Sequence, residues 1–169
     1  MRLFVAMVVL GFCALSIGCG PAATPPAAGP STEGKAYILS AEPAGVKGVK
    51  QLKVDSKDGE EVVAEGRIGG DTNPWIEGQA AFLFVDKSLN PCDAKEGCAT
   101  PWDYCCDTDQ LPACKALVKI VDASGKPVAT DARKLLGVKE MQTIVVRGTA
   151  KRDEAGNLTV LANGIFVRN

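Results

Sequence analysis

The sequence predicts a mainly β domain: five strands with one short helix between the third and fourth. Two observations carry that prediction. Apolar and polar residues alternate repeatedly between positions 61 and 162, the period of a strand that buries one face. Gly-, Asp- and Asn-rich turns separate these runs, and no long amphipathic helix intervenes.

The elements follow in order. In Glu61–Ile68 (EVVAEGRI) the even positions are apolar or small, while Glu61, Glu65 and Arg67 share the other face. Gly66 marks a bulge or a sharp bend in this strand. Residues 79–85 (QAAFLFV) are apolar on both faces and end at Asp86, which suits a central strand. In residues 115–121 (KALVKIV), Ala116, Val118 and Ile120 oppose Lys115 and Lys119, and residues 122–127 (DASGKP) reverse the chain. Residues 131–136 (DARKLL) are the helical piece, capped by Thr130 or Asp131 and ended by Gly137. A strand follows over 143–151, then a turn at 153–157 (DEAGN) and a strand at 158–162. Asn163-Gly164 is expected to break that last strand before residues 165–167. Upstream, 36–40 reads as a short strand, and 46–54 suits a strand or a helix equally.

The order strand, strand, strand, helix, strand, strand resembles an OB-fold, a small five-stranded barrel. The resemblance covers most of residues 60–169 and is one of order, with an unrelated small barrel or sandwich as the alternative. Glycines in the first and fourth strands, Gly66 and Gly148, suit it, because closing so small a barrel bends strands sharply. In such folds the connection between the first two strands flanks the ligand groove. Here it is residues 69–78 (GGDTNPWIEG), which makes Trp75 either a stacking platform or a hydrophobic plug.

Between the second and third strands lie 27 residues, 87–113, with neither strand nor helix periodicity. Segments of that length need a function or a staple. This disulfide-rich insert and its border carry Cys92, Cys98, Cys105, Cys106 and Cys114, spaced C-x5-C-x6-C-C-x7-C. In an oxidising compartment two bridges are expected, with one cysteine left over. Neighbouring Cys105 and Cys106 make poor partners, since adjacent Cα atoms lie about 3.8 Å apart. Twelve arrangements then remain of fifteen. The alternatives are a metal held by these thiolates, copper or zinc, and a reactive or intermolecular thiol. No C-x-x-C pair is present, so the usual zinc and iron–sulfur spacings are not met. Trp102 and Tyr104, in the run TPWDYCC, either pack against the sulfurs or form an exposed ligand-binding platform. Asp93, Glu96, Asp103, Asp107 and Asp109 make the insert acidic without the spacing of a calcium loop. The run TPWDYCC resembles a segment of uncharacterised secreted bacterial lipoproteins with an OB-fold-like domain; that resemblance implies a grouping and no activity.

The N-terminus sets the compartment. Arg2 precedes an almost uninterrupted apolar run, residues 3–17, closed by Gly18-Cys19. This is the length of a secretory signal peptide and too short for a spanning helix. Gly18-Cys19 resembles the processing site of bacterial lipoproteins, in which Cys19 becomes the lipidated first residue, although Ser16 stands where Leu is usual and Leu15 is one place early. The organisation expected is a signal peptide over 1–18, a lipidated Cys19 with an Ala/Pro-rich tether over 19–34, and a barrel domain over 35–169. Removal of Arg2 leaves 18 basic against 20 acidic residues, a formal charge of −2. Near-neutrality lacks the footprint of a nucleic-acid binder. The absence of histidine excludes histidine-dependent triads, histidine-ligated zinc and covalent haem attachment at C-x-x-C-H.

These readings converge on an exported, membrane-anchored lipoprotein of the cell envelope, periplasm-facing or extracellular, and non-enzymatic. Its barrel is expected to bind a protein, glycan or small ligand without a cofactor. Metal binding through the cysteine insert and thiol-redox activity are the alternatives.

Overall fold

The computed structural model describes residues 29–93 and 97–168. The expected signal peptide, Cys19 and most of the tether lie outside the described residues, as do Glu96 and Asn169. Among the described residues seven strands form one sheet: β1 (Lys47–Gly48), β2 (Glu61–Ile68), β3 (Trp75–Ile76), β4 (Ala81–Val85), β5 (Lys115–Ile120), β6 (Thr143–Arg152) and β7 (Leu158–Val167). The helices are α1 (Val49–Asp55), α2 (Leu111–Cys114) and α3 (Ala132–Leu136). Among the described residues no helix is long and apolar enough to cross a membrane.

β2 pairs antiparallel with β6, β6 with β7, β5 with β4, and β7 lies parallel to β5. A short seam, Arg67↔Val85 and Ile68↔Phe84, joins β4 back to β2 and closes the barrel. With β1 and β3 as short additions, the five long strands have the OB-fold order, and α3 falls between the third and fourth of them.

Alternation explains the core. Val62, Ala64 and Ile68 of β2, Ala116, Val118 and Ile120 of β5, and Ile144 and Val146 of β6 all point into it. β4 is buried on both faces for a specific reason. Phe82 and Phe84 enter the barrel core, whereas Val85 packs under the cysteine insert with Leu89, Tyr104 and Cys114. Asp131 caps α3 by accepting the N–H groups of Arg133 and Lys134, and Gly137 ends it at φ 67°. Leu135 and Leu136 are fully buried against the barrel.

Two glycines serve closure, as expected, though in different ways. At Gly66 a Cβ would overlap the Phe84 ring and press on the Val85 carbonyl, so the close approach of β4 requires a bare backbone. The register shift lies between Arg147 and Gly148, where a Cβ would overlap the Leu161 carbonyl.

Several expectations need correction. Residues 34–37 form a 3-10 turn in place of the strand expected over 36–40; only Ile38 bridges, parallel to Ile165. Asn163-Gly164 does not break the last strand, because β7 runs continuously to Val167. Gly164 is there for clearance: a Cβ would press on the Leu39 side chain, whose N–H donates to the Ile165 carbonyl at 2.7 Å. The ambiguous 46–54 stretch is both, a two-residue strand running into α1. Among the described residues α1 and α2 accompany the expected α3, and α2 ends the insert.

Asp86 ties the insert to the barrel. Its Oδ2 accepts the Lys50 N–H at the start of α1 (2.8 Å) and its Oδ1 the Ser88 N–H (2.9 Å). Burial pushes this carboxyl up, but the Ser88 and Lys50 amides outweigh burial and hold it below the usual range. A depressed carboxylate stabilises the fold above its unfolded pKa of about 3.9, and that contribution is lost as pH falls through the lower folded value. Asp86→Ala is therefore expected to cost about 0.5–2 kcal/mol at neutral pH. It should also flatten the acid limb of stability; urea midpoints measured from pH 7 down to pH 2 test both.

Candidate metal centre

The insert folds through local turns. Pro101–Asp103 and Cys105–Asp107 are 3-10 turns, and between them Tyr104 takes the left-handed conformation at φ 58°. That residue reverses the path so that Cys105 and Cys106 face Cys92 and Cys98. Asp103 fastens the reversal. Its Oδ1 accepts the Cys105 N–H (2.9 Å) and lies 3.7 Å from the Cys92 sulfur, while its Oδ2 accepts the Thr100 hydroxyl (2.6 Å). The Thr100 hydroxyl, helped by the Cys105 N–H, holds the Asp103 carboxyl below the usual range. Cys92 adds a backbone tie, its N–H donating to the Pro101 carbonyl at 3.1 Å.

Tyr104 docks this knot on the barrel. It is fully buried beside Val85, Leu89 and Cys114. Its Oη accepts from Arg67 Nη1 at 3.2 Å, and the same nitrogen reaches the Leu89 carbonyl at 3.4 Å. Burial raises the Tyr104 phenol pKa, so Tyr104 stays neutral and serves as an acceptor. A second dock joins the insert to the connection after β2. The Gly70 N–H donates to the Trp102 carbonyl (2.7 Å), and Trp102 Nε1 donates to the Thr72 carbonyl (3.1 Å).

The sulfurs converge. The Sγ atoms of Cys92, Cys98, Cys105 and Cys106 all lie within 4.8 Å of one another, with Cys92–Cys105 at 3.4 Å and Cys98–Cys105 at 3.8 Å. Cys92 is buried, Cys98 half-buried, and Cys105 and Cys106 exposed. No S–S bond joins these sulfurs in the structure, which leaves the five cysteines of this region free. Cys114 stands apart in the apolar cluster beneath Tyr104, and the odd cysteine of the five is thus a core residue. Within the quartet the backbone N–H of Cys106 lowers the Cys92 pKa, aided by neighbouring thiols, and hydrogen bonding to Cys92 raises those of Cys105 and Cys106.

The aromatic candidates are placed differently. Trp75 is 5% exposed, edge-on to Phe82 at 5.8 Å, with Arg133 over its ring and its Nε1 donating to Glu140 at 2.6 Å. So enclosed, the ring is part of the core and offers no open stacking platform. Tyr104 is likewise enclosed, and Trp102 is partly exposed but tied at its nitrogen. A shallow cleft of about 230 Å³, lined by residues including Lys47, Leu52, Glu60 and Glu61, is smaller than ordinary small-molecule sites.

Cys105 and Cys106 announce themselves in the sequence; their convergence with Cys92 and Cys98 does not. Tyr104→Phe is expected to cost about 1 kcal/mol by leaving Arg67 short of an acceptor. Tyr104→Ala should cost about 3–5 kcal/mol through the cavity beneath the insert. Hydrogen exchange locates the effect: the amides of Gly70 and Cys92 should speed up in both variants well before those of β6 and β7.

No protein-family model matches the chain, and no curated protein matches it. Among solved structures, the chain is similar to an aspartyl-tRNA synthetase-like protein from Leishmania major Friedlin, at 6% identity and a TM-score of 0.42. The match covers 78% of this chain and 22% of that one, so the chain spans about a fifth of its length.

Proposed function

We propose that this chain is an envelope-anchored, non-enzymatic lipoprotein whose OB barrel displays a four-thiolate site for a thiophilic metal ion, with zinc(II) as the lead occupant and copper(I) as its competitor. The observation that carries the reading is the convergence of Cys92, Cys98, Cys105 and Cys106 within 4.8 Å. Zinc–thiolate bonds of about 2.3 Å in a tetrahedron place sulfurs roughly 3.8 Å apart; two pairs here stand at 3.4 and 3.8 Å and all lie within 4.8 Å, so closing on an ion needs shifts of about 1 Å or less. Four sulfurs in tetrahedral array favour zinc among common divalent ions, and copper(I) shares the preference for thiolate. Arg67 is engaged by Tyr104, and Asp103 lies beside the site. The surroundings thus favour a cation and disfavour an anionic ligand.

Envelope anchoring rests on the residue 2–19 pattern. Lipid on Cys19 would contribute about 0.8 kcal/mol per buried methylene, and the residues between Cys19 and Ser31, where the chain docks on the Leu135 carbonyl, would be the spacer between bilayer and barrel.

Reduced protein titrated anaerobically with cobalt(II) should develop sulfur-to-metal charge-transfer bands and tetrahedral d–d bands at one equivalent, and zinc should displace the cobalt. Copper(I) displacing zinc at one equivalent would identify copper as the occupant. Cys98→Ser should weaken cobalt binding by more than about tenfold, the lower bound seen even for outer-shell changes, while Cys114→Ala should bind as the parent does. Equal binding by Cys98→Ser, or none by the parent, would sink the metal reading. Anchoring is tested separately: intact mass of membrane-extracted protein should show acyl chains on Cys19, and Cys19→Ala should leave the membrane fraction.

A further inference from the structure

We infer that the four-thiolate site is an oxidant-gated one, which releases its metal by closing two disulfide bridges inside the insert. The inference rests on the metal reading above and adds a regulation to it. The same four sulfurs satisfy both states. Cys105 Sγ lies 3.4 Å from Cys92 Sγ and 3.8 Å from Cys98 Sγ, so it reaches either partner by a small side-chain rotation, and Cys106 stands within 4.8 Å of both. Cys114 is buried in a separate apolar cluster and takes no part. Adjacent Cys105 and Cys106 are a poor pair. The twelve arrangements allowed by the sequence therefore reduce to two: Cys92–Cys105 with Cys98–Cys106, or Cys92–Cys106 with Cys98–Cys105.

The oxidant is a disulfide, either of low molecular weight or carried by a protein. The balance is complete in each bridge. A cysteine thiolate attacks the oxidant's disulfide, forming a mixed disulfide and releasing one thiolate. A second cysteine thiolate of the quartet attacks the mixed disulfide, forming the internal bridge and releasing the other thiolate. Two such closures oxidise four cysteine thiolates to two disulfides and reduce two oxidant disulfides to four thiolates. The divalent ion leaves because a disulfide sulfur no longer carries the charge that held it. In the metal-loaded state all four ligands are thiolates, and the exposed Cys105 and Cys106 are the ones an oxidant can reach, with buried Cys92 placed to resolve.

The folded barrel keeps both states available. Tyr104, Asp103 and the Gly70–Trp102 hydrogen bond hold the insert by contacts that use no sulfur–metal bond. Oxidation therefore changes the cluster while its dock persists, and re-reduction restores the site.

The test uses the full mature chain loaded with zinc under reduction, then exposed to excess glutathione disulfide. Zinc release is followed with a chromogenic chelator, bridge number by intact mass and connectivity by peptide mapping. The expected result is one zinc released for every two bridges, in one of the two arrangements, and recovery of one-equivalent binding after reduction. Cys114→Ala should behave identically. Zinc kept on the protein under conditions that oxidise free cysteine would overturn the gate while leaving the metal reading intact. A bridge through Cys114, bridges between chains, or release accompanied only by mixed disulfides would also overturn it. Failure of the reduced chain to take up zinc or cobalt at the outset would instead reject the metal reading, and the gate with it.

Discussion

The short seam between β2 and β4 is the constraint on which both halves of the molecule depend. Only Arg67↔Val85 and Ile68↔Phe84 pair there, yet they convert an open sheet into a closed barrel. The seam demands a bare backbone at Gly66, since β4 could not otherwise approach. It also fixes where the cysteine insert begins. Val85 and Asp86 leave β4 directly beside Arg67, and Arg67 then reaches the Tyr104 hydroxyl across the gap. One short piece of ladder thus closes the core and seats the loop.

A segment as long as this insert loses considerable conformational entropy on ordering, on the order of 1–2 kcal/mol per fixed residue. It buries few apolar side chains, chiefly Leu89, Tyr104, Leu111 and Cys114, and the remaining order comes from polar ties. Asp103, the Gly70 and Cys92 amides, and Asp86 anchor it at separate points along its length. Tyr104 sits at the centre and pays a left-handed backbone penalty that only such packing offsets. The thiols are carried outward from this anchored frame, two of them to solvent.

Much of the barrel was legible in the sequence. Alternation placed Val62, Ala64 and Ile68 inward, Asp131 and Gly137 bounded α3, and the strand order matched the closed topology. The misreadings share a cause. Gly164 reads as a breaker because glycine usually marks a turn, but here it makes room for Leu39, a residue 125 positions away in sequence. Residues 36–40 read as a strand from composition, yet only Ile38 finds a bridging partner. The site was legible as chemistry and not as geometry. Five cysteines in a long insert were visible, but nothing in their spacing says that Tyr104 would adopt φ 58° and swing Cys105 and Cys106 toward Cys92 and Cys98. Nor does it say that Cys114 would be absorbed into the core, leaving an even set from an odd count.

That division of labour separates this architecture from small domains that fold around a metal. In a zinc finger the ion supplies the folding free energy, because too little apolar surface is available without it. Here the barrel core is built of Phe82, Phe84, Val118, Ile144, Val160 and their neighbours, a cluster that includes no cysteine of the quartet. The four thiols are gathered by tyrosine packing and carboxylate hydrogen bonds that owe nothing to a bound ion. On the proposed metal reading, occupancy would change the charge of an exposed knot and leave the core packing as it is. A core whose packing is separate from the cysteine insert leaves the insert free to change without disturbing the barrel strands.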